Sequence, residues 1–155
     1  MSFISNVLWT VLFSASPFFE LRGGIPFGIA VGLNPALVFI LGVLANIIVV
    51  FAIFFFLDYI HKHLLPIGFY KKSFNYFLEK TRRKAEKHIR GKKWEYYALF
   101  VFVALPIPGT GAYAGTLISW FFNLDRRNSI LAIGLGVVAS GLLVTLVTMG
   151  IVSLF

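Results

Sequence analysis

Apolar residues fall in blocks along this chain, and the block lengths carry the first information. Phe3 to Ala15 is apolar over about a dozen positions. As a helix it reaches roughly 20 Å, short of the ~30 Å hydrocarbon core of a bilayer. Phe27 to Leu33 is shorter still, and Asn34-Pro35 is a turn and helix-start signal. Ala36 to Ile60 is long enough to cross. The second half repeats the plan: Trp94 to Leu105 and Thr116 to Leu124 are too short, and Ser129 to Leu154 is long enough. Each pair of short blocks is joined by a Pro/Gly-rich stretch, Ser16 to Pro26 and then Leu105 to Gly115. The pattern predicts two re-entrant helical hairpins, each with a non-helical tip, and two full spans.

The fold class that follows is all-α integral membrane, with residues 1–155 as a single membrane domain. Residues 1–60 form a first half (re-entrant hairpin 3–33, transmembrane helix 36–60). Residues 94–155 form a second (hairpin 94–124, transmembrane helix 129–154). Pro17 and Pro35 lie 18 positions apart and Pro106 and Asp125 lie 19 apart, an internal repeat of pattern rather than identity. Four full crossings with both termini on one side is the competing topology, and arms this short argue against it.

Residues 61–93 are a polar segment holding eleven Lys and Arg. Pro66 and Gly68 break the chain after the first span. Phe69, Tyr70, Phe74, Phe77 and Leu78 then recur at helical spacing among lysines, which predicts an amphipathic basic helix on the membrane surface. Glu79 with Arg83 and Glu86 with Arg90 are i,i+4 pairs on it, and Gly91 is its expected stop.

Composition fits this picture. The chain is 59% hydrophobic and 13% charged, with a mean hydropathy of +0.87, which excludes an ordinary soluble domain. Met1 to Phe13 has no basic n-region, so it reads as part of the mature protein rather than a signal peptide. The chain has no cysteine, hence no disulfide framework and no thiol chemistry.

The net charge of +8 raises nucleic acid as a partner, but 13 of the 14 Lys and Arg lie between Lys62 and Arg127. Membrane topology produces that asymmetry. Segment 61–93 is then cytoplasmic and lies on anionic lipid. The first hairpin enters and leaves on the outside, as do both termini. The second hairpin, flanked by Lys92, Lys93, Arg126 and Arg127, enters and leaves on the cytoplasmic side. The halves are inverted about an axis in the membrane plane, an arrangement secondary transporters use.

Glu20 and Arg22 are the charges that stand outside the cytoplasmic segments and their boundaries. An ionised group at membrane depth costs on the order of 2.5–3.5 kcal/mol, so it needs a partner, a wet cavity or a proton. On an extended tip, residues i and i+2 face one side. Arg22 then meets an anionic head group and Glu20 exchanges the coupling proton, or the two form a structural ion pair. Gly23, Gly24, Gly109 and Gly111 open backbone N–H groups to a cavity, or simply break the chain. Thr110 and Tyr113 offer hydroxyls. Asn46, near the middle of the first span, and Ser140, near the middle of the second, line a central cavity or hydrogen-bond between helices, with Gly42, Gly136 and Gly141 permitting close approach.

His61, His63 and His88 have no clustered carboxylate or cysteine, so no metal site is expected, and no cofactor. No nucleophile–base pair or phosphate loop appears, so the protein is not read as an enzyme. Two spans offer little surface to enclose a cavity alone, which predicts a homodimer.

The segments FELRGGIPFGIA (Phe19 to Ala30), PIPGTGAYAGT (Pro106 to Thr116) and SWFFNLDRRNS (Ser119 to Ser129) resemble the prokaryotic family of small multi-drug export proteins. That family is similar, distantly, to the DedA (VTT-domain) membrane proteins. The resemblance implies a cell-membrane protein with two inverted re-entrant hairpins. It also implies movement of polyprenyl phosphates such as undecaprenyl phosphate, or of other phospholipids, with ion coupling. Glu20 and Arg22 resemble the acidic and basic residues of the DedA first hairpin. The DedA second hairpin carries arginines around its Pro-Gly; here Pro108-Gly109 is present, with Ala104 and Gly111 nearby and no arginine. The expected function is a transporter or flippase of an amphipathic anionic lipid. The alternatives are an exporter of amphipathic cations, which Glu20 would bind, and a non-transporting membrane scaffold.

Overall fold

A computed structural model describes residues 2–64, 66, 68–86, 94–107 and 109–152, with backbone alone at 62, 70, 77 and 80–86. The expected stop at Gly91, the Glu86–Arg90 pair, His88, Lys92, Lys93 and Pro108 lie outside the described residues, as does the Arg83 side chain expected to meet Glu79.

Every regular element described is helical. Helix α1, Phe3–Ala15, begins where the Ser2 hydroxyl accepts from the Ser5 N–H. After the turn 16–19 comes α2, Glu20–Ala30. Asn34 starts α3, Pro35–Phe55: its side-chain oxygen accepts from the N–H groups of Ala36 and Leu37, and Pro35 occupies the first turn, where no N–H is needed. α3 runs on through a π-helical turn, Phe56–Ile60, giving a continuous apolar helix of 26 residues, roughly 39 Å long. Short α4 (His61–Leu64) and α5 (Gly68–Glu86) follow. α6, Glu95–Ala104, and α7, Ala112–Phe121, flank a second turn at 105–111. α8, Arg126–Val152, is 27 residues long. It starts three residues before the expected Ser129. The Asp125 carboxylate accepts from the Asn128 N–H at 3.0 Å, so Arg126 and Arg127 are its first turn, not a polar connector.

The expected non-helical tip from Ser16 to Pro26 is corrected. Only residues 16–19 turn; Gly23, Gly24 and Pro26 lie inside α2. Burial against α1 and α3 outweighs their poor helix propensity, as tertiary packing commonly does. Pro26 has no N–H, so the Arg22 carbonyl loses its intrahelical partner.

The hairpin α1/α2 packs on α3 and the hairpin α6/α7 on α8. α2 also reaches across to α8, and α7 to α3. The arms approach closely where side chains are minimal. A β-carbon on Gly28 would strike Val38 and Thr10, and one on Gly136 would strike Val103. Leu21, Ile25, Val38, Leu99, Val103, Ile118, Ile133 and Val137 fill the core between them.

The two turns lie level with the middles of the long helices. The Asn46 amide, midway along α3, donates to the Ser14 carbonyl at 2.9 Å. Val103, just before the second turn, packs on Gly136 of α8. The long helices are antiparallel: the Arg126 guanidinium, at the start of α8, lies 2.9 Å from the Asp58 carboxylate, in the final π-helical turn of α3, and 4.0 Å over the Phe54 ring. On α5, Phe69 and Tyr76 are exposed, while Phe74 stacks on buried His61, 4.2 Å between centroids. Trp120 of α7 closes the other side of His61.

Candidate functional site

Glu20 is the first residue of α2 and has φ +50°, a left-handed conformation uncommon outside glycine and costly for a Glu. That twist, not an extended tip, turns its side chain back alongside Arg22. The Arg22 Nη2 donates to Glu20 Oε2 at 2.6 Å, and the Glu20 side chain is only 8% exposed. The i,i+2 pair therefore meets as the tip reading expected, by a different backbone route.

The carboxylate also reaches the other half of the chain. The N-cap position of α7 is Gly111, which has φ +122° and no side chain to cap the helix. Glu20 fills that role from outside. Its carboxylate lies where a β-carbon of Gly111 would be, beside the Tyr113 backbone N–H. A helix N-terminus favours a negative charge there. Arg22 joins the same contact, its Nη2 donating to the Thr110 carbonyl at 3.4 Å. The Tyr113 hydroxyl donates to the Ala15 carbonyl at the end of α1. Each turn thus holds the other through groups that a helix end leaves unpaired.

Between the turns lies a chamber of about 10 Å³, lined by Glu20, Arg22, Asn46, Thr110, Gly111 and Ser140. That is about one water molecule's space, with polar partners on several sides. Asn46 both lines the chamber and ties helices together, donating to Ser14 and Gly42 carbonyls. The Thr110 hydroxyl donates within its own turn, to the carbonyls of Leu105 and Ile107. The remaining glycines lie apart. Gly23 packs on Phe19 and Gly24 on Ser14, both inside the first hairpin, and Gly109, at φ +80°, shapes the exposed second turn.

Two apolar grooves flank the chamber. One, about 590 Å³, runs from Arg22 along α2 and the last third of α8, past Pro26, Ala30, Leu143, Val147 and Ile151. The other, about 700 Å³, runs from Tyr113 along the latter half of α3 to Ile60. Because α3 and α8 are antiparallel, the grooves lie at opposite ends of the molecule. Sequence reasoning missed both, along with the Asp58–Arg126 contact. Groove residues look like any other residue of an apolar span.

Among the described residues no three His, Cys, Asp or Glu come together as a metal site. Two helices are long and apolar enough to cross a bilayer, and their outer faces expose Ile40, Leu44, Ile48, Leu131, Leu135 and Leu146. With an ion pair of the first hairpin set against the turn of the second, these features define an all-helical protein with two membrane-capable helices. Residues 20–143 match the family described as "Putative small multi-drug export protein", and the chain belongs to that family. No curated protein and no solved structure matches the chain.

Proposed function

We propose that the protein is an ion- or proton-coupled flippase that carries an anionic amphiphile, such as a polyprenyl phosphate, across the cell membrane. The observation that carries this reading is the position of Arg22. It is backed by the Glu20 carboxylate on one side and stands at the end of an apolar groove on the other. A cation would have to displace Arg22 to reach Glu20, which favours an anionic substrate over a cationic one.

The bilayer arrangement has matching support. Arms of 13, 11, 10 and 10 residues reach roughly 15–20 Å, and their turns stop at mid-height of α3 and α8. Two re-entrant hairpins fit those lengths. The exchange of α2 onto α8 and of α7 onto α3 supports an inverted repeat, and the two grooves at opposite ends support access from each leaflet in turn. The basic segment 61–93 faces the cytoplasm in this reading, and both termini lie outside. Glu20 exchanges the coupling proton when Arg22 engages the head group instead. The exposed outer faces of α3 and α8 offer room for a second copy, as a homodimer needs.

Transport of a fluorescent polyprenyl phosphate in proteoliposomes tests the reading. Arg22→Ala abolishes it, Arg22→Lys keeps part of it, and Glu20→Gln removes its dependence on a pH gradient. Export of amphipathic cations that survives Arg22→Ala but not Glu20→Gln establishes the rival exporter. Indifference to all three variants in folded protein establishes a scaffold.

A further inference from the structure

The groove that ends at Arg22 carries more structure than a head-group site requires. Leu143, Val147 and Ile151 recur at every fourth position, so they form one stripe along α8. Pro26 and Ala30 face them from α2, and Pro106 of the second turn closes the inner end. From Leu143 to Val152 the groove follows α8 for roughly 14 Å. Its polar groups are two. Thr148 donates to the Val144 carbonyl of its own helix at 2.7 Å, which leaves Arg22 at one end of an apolar slot. The charge of that cation is freed for a ligand when Glu20, its partner at 2.6 Å, takes up the coupling proton of the transport reading.

An apolar slot with a guanidinium at its inner end complements a long hydrocarbon tail with an anionic head. We propose that this groove holds the tail of a single-tailed anionic amphiphile whose head lies on Arg22, and that the tail enters from the side of the membrane where α8 ends. The proposal rests on the transport reading above and adds to it the tail's path and the leaflet of entry. Lipid tails are as apolar as the groove, so the slot supplies little affinity of its own. Its work is positional: it keeps the tail in apolar surroundings while the head moves inward to mid-depth. Selectivity then resides in the charge, and a tail with a cationic head gains nothing there.

The absence of native cysteine allows a direct test. A bimane fluorophore is placed on Val147→Cys, in the groove, or on Leu146→Cys, which is 66% exposed and lines neither of the two grooves described above. Reconstituted protein is titrated with dodecyl phosphate brominated along its chain. The expected result is saturable quenching at position 147, at least threefold that at 146. It falls to the level at 146 in Arg22→Gln and is kept in part by Arg22→Lys. The same brominated chain on a trimethylammonium head quenches both positions alike. Equal, non-saturating quenching at both positions overturns the slot, and so does quenching at 147 that ignores Arg22→Gln or the head-group charge. If Arg22→Ala abolishes transport while position 147 fails to discriminate, the transport reading stands and the slot falls. Selective quenching at 147 in a protein that moves nothing keeps the slot and removes the transport reading.

Discussion

The Glu20 carboxylate occupies the space beside Gly111 that a β-carbon would need. A residue from the first hairpin thereby caps a helix of the second, and the two turns become one unit. Arg22, bonded both to that carboxylate and to the Thr110 carbonyl, belongs to the same unit.

Gly111→Ala therefore forces either the carboxylate or the backbone to move. Its positive φ adds strain of about 1–3 kcal/mol for any residue with a side chain. Thermal unfolding in detergent should show a clear loss of stability. Glu20→Ala combined with Gly111→Ala should cost less than the sum of the two single changes, since removing the carboxylate removes the collision. Strict additivity would mean the carboxylate does not lie there.

Removing one partner of a buried ion pair is worse than removing both, because the survivor keeps its desolvation cost. Arg22→Ala should destabilise the protein by about 3–5 kcal/mol at most, less to the extent that Arg22 is 23% exposed. Glu20→Ala with Arg22→Ala should recover part of that loss. Chemical denaturation of the three variants measures the difference, and a double variant weaker than Arg22→Ala contradicts the pairing.

The Asp58–Arg126 contact is more open, with side chains 32% and 45% exposed. Exposed pairs are worth about 0–1 kcal/mol, so Asp58→Asn should cost little. Arg126→Ala should cost more, because the guanidinium also stacks on Phe54. Equal losses would show that the ring contact contributes nothing.

His61 lies just past the first long helix, buried between Phe74 and Trp120, and that burial holds its imidazole below the ordinary value of 6.5. As pH falls through 6.5 the unfolded chain binds a proton that the folded chain does not, so stability falls on the acid side. Above 6.5 both states are neutral there and this contribution is flat. Melting temperatures at pH 7.5 and 5.5 should differ less in His61→Phe than in the wild type.

Much of the architecture can be read from block lengths, because bilayer thickness dictates how long a crossing helix must be. The long helices start within one and three residues of the expected positions, and two short helices precede each of them in the chain order, α1 and α2 before α3, α6 and α7 before α8. Local propensity misled where packing dominates. Gly23-Gly24-Ile25-Pro26 reads as a breaker, yet α2 runs through it because two neighbouring helices bury it. The meeting of Glu20 with Arg22 was legible from their isolation among apolar residues. Its contact with Gly111 was not, since nothing local links positions 91 residues apart. The same holds for Asp58 and Arg126, and for a groove whose walls are ordinary span residues.

The chamber between the turns, at about 10 Å³, has a consequence for electrical recording. A space of that size gives ions no continuous aqueous path, so a planar bilayer containing the protein should carry no unitary currents. Under the proposed transport reading, any charge moved crosses one transport cycle at a time, as a macroscopic current that scales with substrate and vanishes without it.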